Sequence, residues 1–187
     1  MTLKKRNITQ EKIFQAAILV IETEGLENLS FPLIAQKLEI KTPSMYNHFK
    51  NKQDLKAALS LYLYDHLNTS MQKKLVGISG EEAITIFTMT IFDFAFTYPN
   101  TYPLLQEVTE VTKDRNSMAL YSNTLRSLLK DFASSDEDLL FKHRAVRSML
   151  HGYISLKLKG FFKRGESDNP CVDFERFNTQ MIHLILN

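Results

Sequence analysis

Between Lys41 and Leu55 the chain reads KTPSMYNHFKNKQDL, which gathers Thr42, Pro43, Ser44, Tyr46, Asn47 and His48 into seven residues and follows them with lysines. Small hydroxyl and amide groups carry the donors and acceptors that read base edges, while ring donors, lysines and free helix N–H groups suit phosphate oxygens. On a helix with 3.6 residues per turn that starts at Thr42, Met45 and Phe49 share one side. Pro43, Ser44 and Asn47 take the other, and Tyr46 and His48 flank it. Two apolar pegs would then hold the segment to a core and turn its polar groups outward, as in a helix that enters a major groove with its edges against the two phosphate strands.

A segment this short needs a scaffold. The chain has 187 residues, is 44% hydrophobic and contains only six glycines and five prolines, with apolar residues recurring at helical spacing throughout. These features predict an all-α protein with enough apolar surface for a real core. A first helix should start at Thr9 as N-cap and stop at Gly25; a second, of about two turns, should start at Ser30. The third begins at Thr42 with Pro43 at the first helical position, and the tight turn at 39–41 before it completes a helix-turn-helix. Asn51 should cap a fourth, with Asp54 three residues on in a capping-box arrangement, and this helix should continue through residues 52–75. Its start combines free N–H groups with Lys52, a ready phosphate site around which Lys41, Lys50 and Lys56 gather.

Two glycines and a serine within 76–80 mark the best boundary. After it, EEAITIFTMTIFDFAFTY is apolar over most of its circumference and should form a central buried helix. Further helices are predicted over 116–132, 136–162 and 172–186.

Residues 9 to 55, above all LIAQKLEIKTPSMYNHFKNKQDL, resemble the DNA-binding domain of TetR/AcrR-family transcriptional regulators in spacing and residue type through four helices. The resemblance implies that Thr42, Pro43, Ser44, Tyr46, Asn47 and His48 face DNA. It also implies that Lys52 and the start of the fourth helix hold phosphate, and that Ser30 caps the second helix against the backbone. Glu39 stands where the family usually has Gly, so either a non-glycine residue occupies the left-handed region, at a cost of order 1 kcal/mol, or the turn differs.

The expected organisation is a three-helix DNA-binding domain over 1–56, a connecting helix over 52–75, and a helical effector-binding and dimerisation domain over 57–187. Ten of thirteen phenylalanines lie after residue 80. Most should be core, yet aromatic and Met side chains also line pockets for apolar or amphipathic ligands. Phe87, Phe94, Tyr102, Met118, Tyr121, Leu125 and Met149 are the candidates whose spacing turns them inward.

Ala145, Ser148, Gly152 and Ser155 form a small-residue stripe inside a helix, which implies close packing there, and Phe174, Phe177 and Met181 form another stripe on the last helix. The resemblance implies that these last two helices make a four-helix dimer interface. His151-Gly152 with Ser155-Leu156 resembles a C-terminal subtype known by a Trp-His-Gly signature, although this chain has no Trp.

Other classes find less support. His66, His143, His151 and His183 have no i, i+4 partner, so no metal site is expected, and Cys171, the single cysteine, reads as a bystander thiol. No paired carboxylates, Ser/His/Asp arrangement or phosphate-cradling loop suggests an enzyme, and neither a catalytic residue nor a cofactor is assigned.

Residues 1–60 hold nine Lys/Arg against six Asp/Glu, a weak basic footprint. Lys4-Lys5-Arg6 either reaches phosphate or forms a solvated tail. With no apolar run long enough to span a bilayer, a cytoplasmic location is expected. The functional expectation is a homodimeric repressor that a small apolar or amphipathic effector releases from palindromic double-stranded DNA. The alternatives are a helical regulator that answers to a protein partner or to no ligand and, from another class, an all-α enzyme or carrier.

Overall fold

The computed structural model describes residues 8–107, 116–164, 167 and 169–187, and among them every regular element is helical. Seven α-helices follow one another: α1 (Gln10–Glu24), α2 (Phe31–Lys37), α3 (Lys52–Leu75), α4 (Gly80–Thr97), α5 (Asn116–Leu129), α6 (Asp136–Leu158) and α7 (Pro170–Leu186). Short 3₁₀ helices intervene at Leu26–Asn28, Thr42–Asn47, Tyr102–Gln106 and Lys130–Phe132. None of the helices is long and apolar enough to cross a membrane.

The chain forms two compact units. Residues 1–63 belong to the first together with 100–113, and residues 64–99 belong to the second together with 114–187. The division falls inside α3, not at the 76–80 turn, because residues up to Leu63 pack with the N-terminal helices.

In the first unit, Thr9 caps α1 by accepting the Lys12 N–H. The helix buries Ile13, Phe14, Ala16, Ala17, Val20 and Ile21 along one face. Gly25 ends it at φ 88°, ψ 153°, an extended conformation open essentially to glycine alone. The α2 helix starts after Ser30, whose extended backbone marks the N-cap although its hydroxyl makes no capping bond. It closes with the Ile40 N–H on the Ala35 carbonyl (3.0 Å) and the Glu39 N–H on that of Gln36 (3.1 Å). These are the two bonds of a Schellman turn.

The same turn ends α6, where Phe161 donates to Leu156 and Gly160 to Lys157. There the left-handed position is Gly160 (φ 82°); after α2 it is Glu39 (φ 54°). Of the two alternatives for Glu39, the left-handed non-glycine residue is the one observed.

In the second unit, α4 is buried on several sides as expected, and it packs against α5, α6 and α7. Phe92 on α4 stacks face to face on Phe174 of α7 (centroids 4.1 Å apart, planes 3°). Asn178, fully buried on α7, donates to Thr88 Oγ1 at 2.8 Å. Leu139, Val146, Leu150 and Tyr153 of α6 all face this core. Lys142 sits nearly buried where α6 meets the end of α7. It donates to the Ile185 carbonyl (3.1 Å) and pairs with Asp138 (3.3 Å), so one cation satisfies a helix C-terminus and a carboxylate together.

Glu39→Gly should raise stability by about 0.5–1 kcal/mol, since relief of the left-handed penalty outweighs the extra freedom of the unfolded chain. A denaturant titration with an unchanged slope and a higher midpoint is the expected result; a lower midpoint would mean that the Glu39 side chain contributes more than its backbone costs.

Candidate nucleic-acid interface

Thr42–Asn47 is a 3₁₀ helix, not the α-turn assumed from sequence. Its bonds run to the third residue, Ser44 N–H to Lys41 O (2.9 Å) and His48 N–H to Met45 O (3.0 Å). With three residues per turn the side chains fall into three rows: Thr42, Met45 and His48; Pro43 and Tyr46; Ser44 and Asn47. Met45 is completely buried and Phe49 nearly so, with Phe49 centred 5.8 Å from Phe14 of α1.

The outward rows differ from the expectation in one respect. Tyr46 lies over Pro43 on the outer surface, 63% exposed, its ring set edge-on against Phe31 at 5.0 Å. His48 shares the row of Met45 and is half-buried. The two rings are therefore not equivalent margins. Asn47 and Pro43 are exposed, and Ser44 and Thr42 are half-buried.

The start of α3 is built as a capping box shifted by one residue. Asn51 Oδ1 accepts the Asp54 N–H (2.9 Å), and Asp54 Oδ2 accepts the N–H of Lys50 (3.0 Å). The first two N–H groups of the helix, those of the exposed residues Lys52 and Gln53, have no intrahelical acceptor. Lys52 is exposed, and its ammonium donates to the Glu27 carbonyl at 2.8 Å. Lys41 and Lys50 are exposed. Lys56 is a correction: it is mostly buried and bonds both carboxylate oxygens of Glu107 (3.0 and 3.1 Å), so it belongs to the packing of the first unit. Lys4, Lys5 and Arg6 lie outside the described residues.

Two acidic residues that the sequence reading missed fix this unit. Glu22 of α1 accepts the N–H groups of Thr101 (2.7 Å) and Asn100 (3.3 Å), and Glu107 holds Lys56 of α3. Partners 79 and 51 residues apart leave no local signature.

The pocket candidates do not form one constellation. Phe87, Tyr121 and Leu125 are buried together in the second unit, with the Phe87 and Tyr121 rings 5.3 Å apart. Met118 and Met149 are half-buried, and Phe94 packs on Tyr98. Tyr102 is buried in the first unit, drawn there by the Glu22 bonds to the two residues before it.

Of the expected dimer residues, Ser148 and Gly152 are exposed, while Ala145, Ser155, Phe177 and Met181 are half-buried. Phe174 is a second correction, because it is fully buried beneath Phe92 and has no surface to offer a partner. Cys171 is partly buried near Asp93; burial first, then the Asp93 charge, pushes its thiol pKa up, so it stays protonated. No group of three metal-ligating side chains occurs among the described residues.

A helix-turn-helix head with a polar outer row, followed by a second helical unit, defines a DNA-binding regulator. Residues 13–59 match the profile described as bacterial regulatory proteins, tetR family, and residues 84–177 the one described as tetracyclin repressor-like, C-terminal domain. The chain belongs to the TetR family of transcriptional regulators.

It is 25% identical over 181 residues to an uncharacterised HTH-type transcriptional regulator of Bacillus subtilis, YobS, covering 96% of this chain and 94% of that one. Its fold matches FadR of Bacillus subtilis, solved with stearoyl-CoA, at a TM-score of 0.77 with 16% identity over 96% of this chain and 98% of that one. It also matches BioQ, solved with its double-stranded DNA operator, at 0.69 with 17% identity over 96% and 98%. Membership of this family makes the chain a DNA-binding transcriptional regulator.

Substitutions in the head should separate positioning from reading. Asn47→Ala should relax preference at particular bases by about 1–3 kcal/mol, whereas Lys52→Ala should weaken specific and random DNA alike and flatten the salt slope. Equal losses for Asn47→Ala on specific and random duplexes would remove Asn47 from the reading row.

Proposed function

We propose that the protein is a homodimeric, ligand-responsive repressor, acting in the cytoplasm, that leaves a palindromic operator when a small effector binds the second unit. The observation that carries the reading is the short helix at 42–47, pinned by Met45 and Phe49, with Pro43, Ser44, Tyr46 and Asn47 at or near its outer surface. In this reading residues 1–56 are the DNA-binding domain and Thr42, His48 and Ser30 border the contact. Lys41, Lys52 and the open N–H groups of α3 take phosphate. Residues 57–187 supply effector binding and dimerisation, with Phe87, Tyr121, Leu125, Met118 and Met149 as the apolar lining.

Pairing through α6 and α7 is supported by Gly152. A glycine inside a helix costs about 1 kcal/mol relative to Ala, and no neighbouring element among the described residues explains it, since a Cβ there would meet no such atom within 4 Å. A partner helix pressed onto Ala145, Ser148, Gly152 and Ser155, with Phe177 and Met181 beside them, would. The last helix also leaves Leu184 72% exposed. The proposed mechanism is a shift in α3, which runs from the DNA-binding head into the second unit, so that two heads lose register with their half-sites.

The protein should bind a palindromic duplex as a dimer, with affinity falling steeply as salt rises. Gly152→Leu tests the pairing. The protomer has room for the new side chain, so circular dichroism should show helices at least as stable, while light scattering shows monomers and operator affinity drops by orders of magnitude through loss of tethering. A Gly152→Leu dimer that still binds its operator would exclude this face from the interface.

A further inference from the structure

One side of α6 carries a cluster that DNA reading does not use and that the proposed pairing face shares only at Ser148. His143, Arg144, Arg147, Ser148 and His151 line an open cleft of about 330 Å³ in the second unit. No carboxylate lines it, and Arg144 and Arg147 form no ion pair among the described residues. The α5 helix adds a third cation, since the charge of Arg126 reaches His143 together with those of Arg147 and Arg144. Arg147 is steadied over the Tyr121 ring at 6.0 Å, and Ser122 Oγ lies 3.3 Å from His143 Nε2.

The remaining groups do not offset this charge. Burial raises the pKa of the Tyr64 phenol, against the opposing pull of Arg147, so it stays neutral. Both histidines are held neutral by burial first and Arg147 second, His151 with a pKa pushed down to about 4. The cleft is thus a one-signed recess in which two guanidinium forks await an acceptor. Guanidinium matches the planar, paired oxygens of carboxylate and phosphoryl groups better than any other side chain. A recess lined by one sign of charge also concentrates its field on whatever enters.

We propose that this cleft binds an oxyanion, carboxylate or phosphoryl, with Arg147 and Arg144 as its charge partners and His143, Ser148 and His151 as hydrogen-bonding groups. The inference rests on the ligand-responsive reading above and narrows it: the effector is acidic. An anion beside neutral histidines raises their pKa, so binding of a carboxylate takes up protons and tightens as pH falls toward the lowered histidine pKa values, while a phosphoryl ligand loses charge of its own over part of that range.

Calorimetric titration of the full-length protein with octanoate, octyl phosphate, octanol and inorganic phosphate tests it, with operator release followed in parallel. Octanoate or octyl phosphate should bind at least about tenfold tighter than octanol, and Arg147→Leu or Arg144→Gln should remove about tenfold while circular dichroism is unchanged. The stronger of the two anions identifies the head group, and inorganic phosphate binding as well as octyl phosphate identifies the free ion as the oxyanion.

Equal affinity for octanol and octanoate, or no binding of any probe, overturns the proposal. So does loss of dimer mass in the arginine variants with octanoate affinity kept, which would assign the arginines to a partner's carboxylates. Arginine-dependent anion binding that leaves the operator complex intact keeps the site and removes the ligand-responsive reading. Operator release by octanol, indifferent to both arginines, does the reverse.

Discussion

Burial of Met45 and Phe49 is the interaction on which the DNA-binding head depends. A 3₁₀ helix of six residues makes too few hydrogen bonds to persist in water, and its orientation is whatever the surrounding apolar surface dictates. That surface is shared. Phe14 of α1 meets Phe49 on one side and Tyr62 of α3 on the other (4.8 Å), so the pegs, the first helix and the long helix form one aromatic cluster. The polar row of Ser44 and Asn47 is aimed by contacts that lie on the opposite side of the same short helix.

The carboxylates of Glu22 and Glu107 extend this constraint along the chain. After α4 ends at Thr97, the backbone passes directly into the segment that Glu22 grips at Asn100 and Thr101 and that Glu107 fastens to Lys56. Both contacts are charge-assisted, and the Lys56 side chain is mostly out of water, so loss of Glu107 strands the Lys56 charge in a poorly solvated place. The head is therefore tied to residues far away in sequence, through α1 and α3 at once. A change in the chain just after α4 has a short path to both helices that support the reading segment.

Local chemistry made the helices of the head legible, and distance hid the rest. Thr9, Asn51 with Asp54, and the turn at Glu39 each announce themselves within a few residues, because caps and turns are satisfied by near neighbours. The 42–47 segment was legible in its pegs but not in its pitch. An α step of 3.6 residues and a 3₁₀ step of 3.0 agree on Met45 yet disagree by Tyr46 and His48, and no residue type there decides between them.

Phe174 shows a different limit. An apolar stripe on a terminal helix reads the same whether it meets Phe92 of its own chain or a second subunit, and only the stacking on α4 separates the cases. Tyr102 illustrates a third, since its address was set by the Glu22 carboxylate bonding the residues before it and not by its own spacing.

The α6 helix brings these strands together, since its circumference is divided among competing demands. Leu139, Val146, Leu150 and Tyr153 commit one face to the core, and Lys142 commits its side chain to the end of α7. What remains is the small-residue stripe and, directly beside it, the cationic cleft; Ser148 belongs to both. A helix is stiff along its axis and shares its side chains between adjoining faces, so an anion that draws Arg144 and Arg147 inward must act on the surface that Ala145, Ser148 and Gly152 present. The two proposed sites are thus coupled through the geometry of a single helix and need no longer pathway between them.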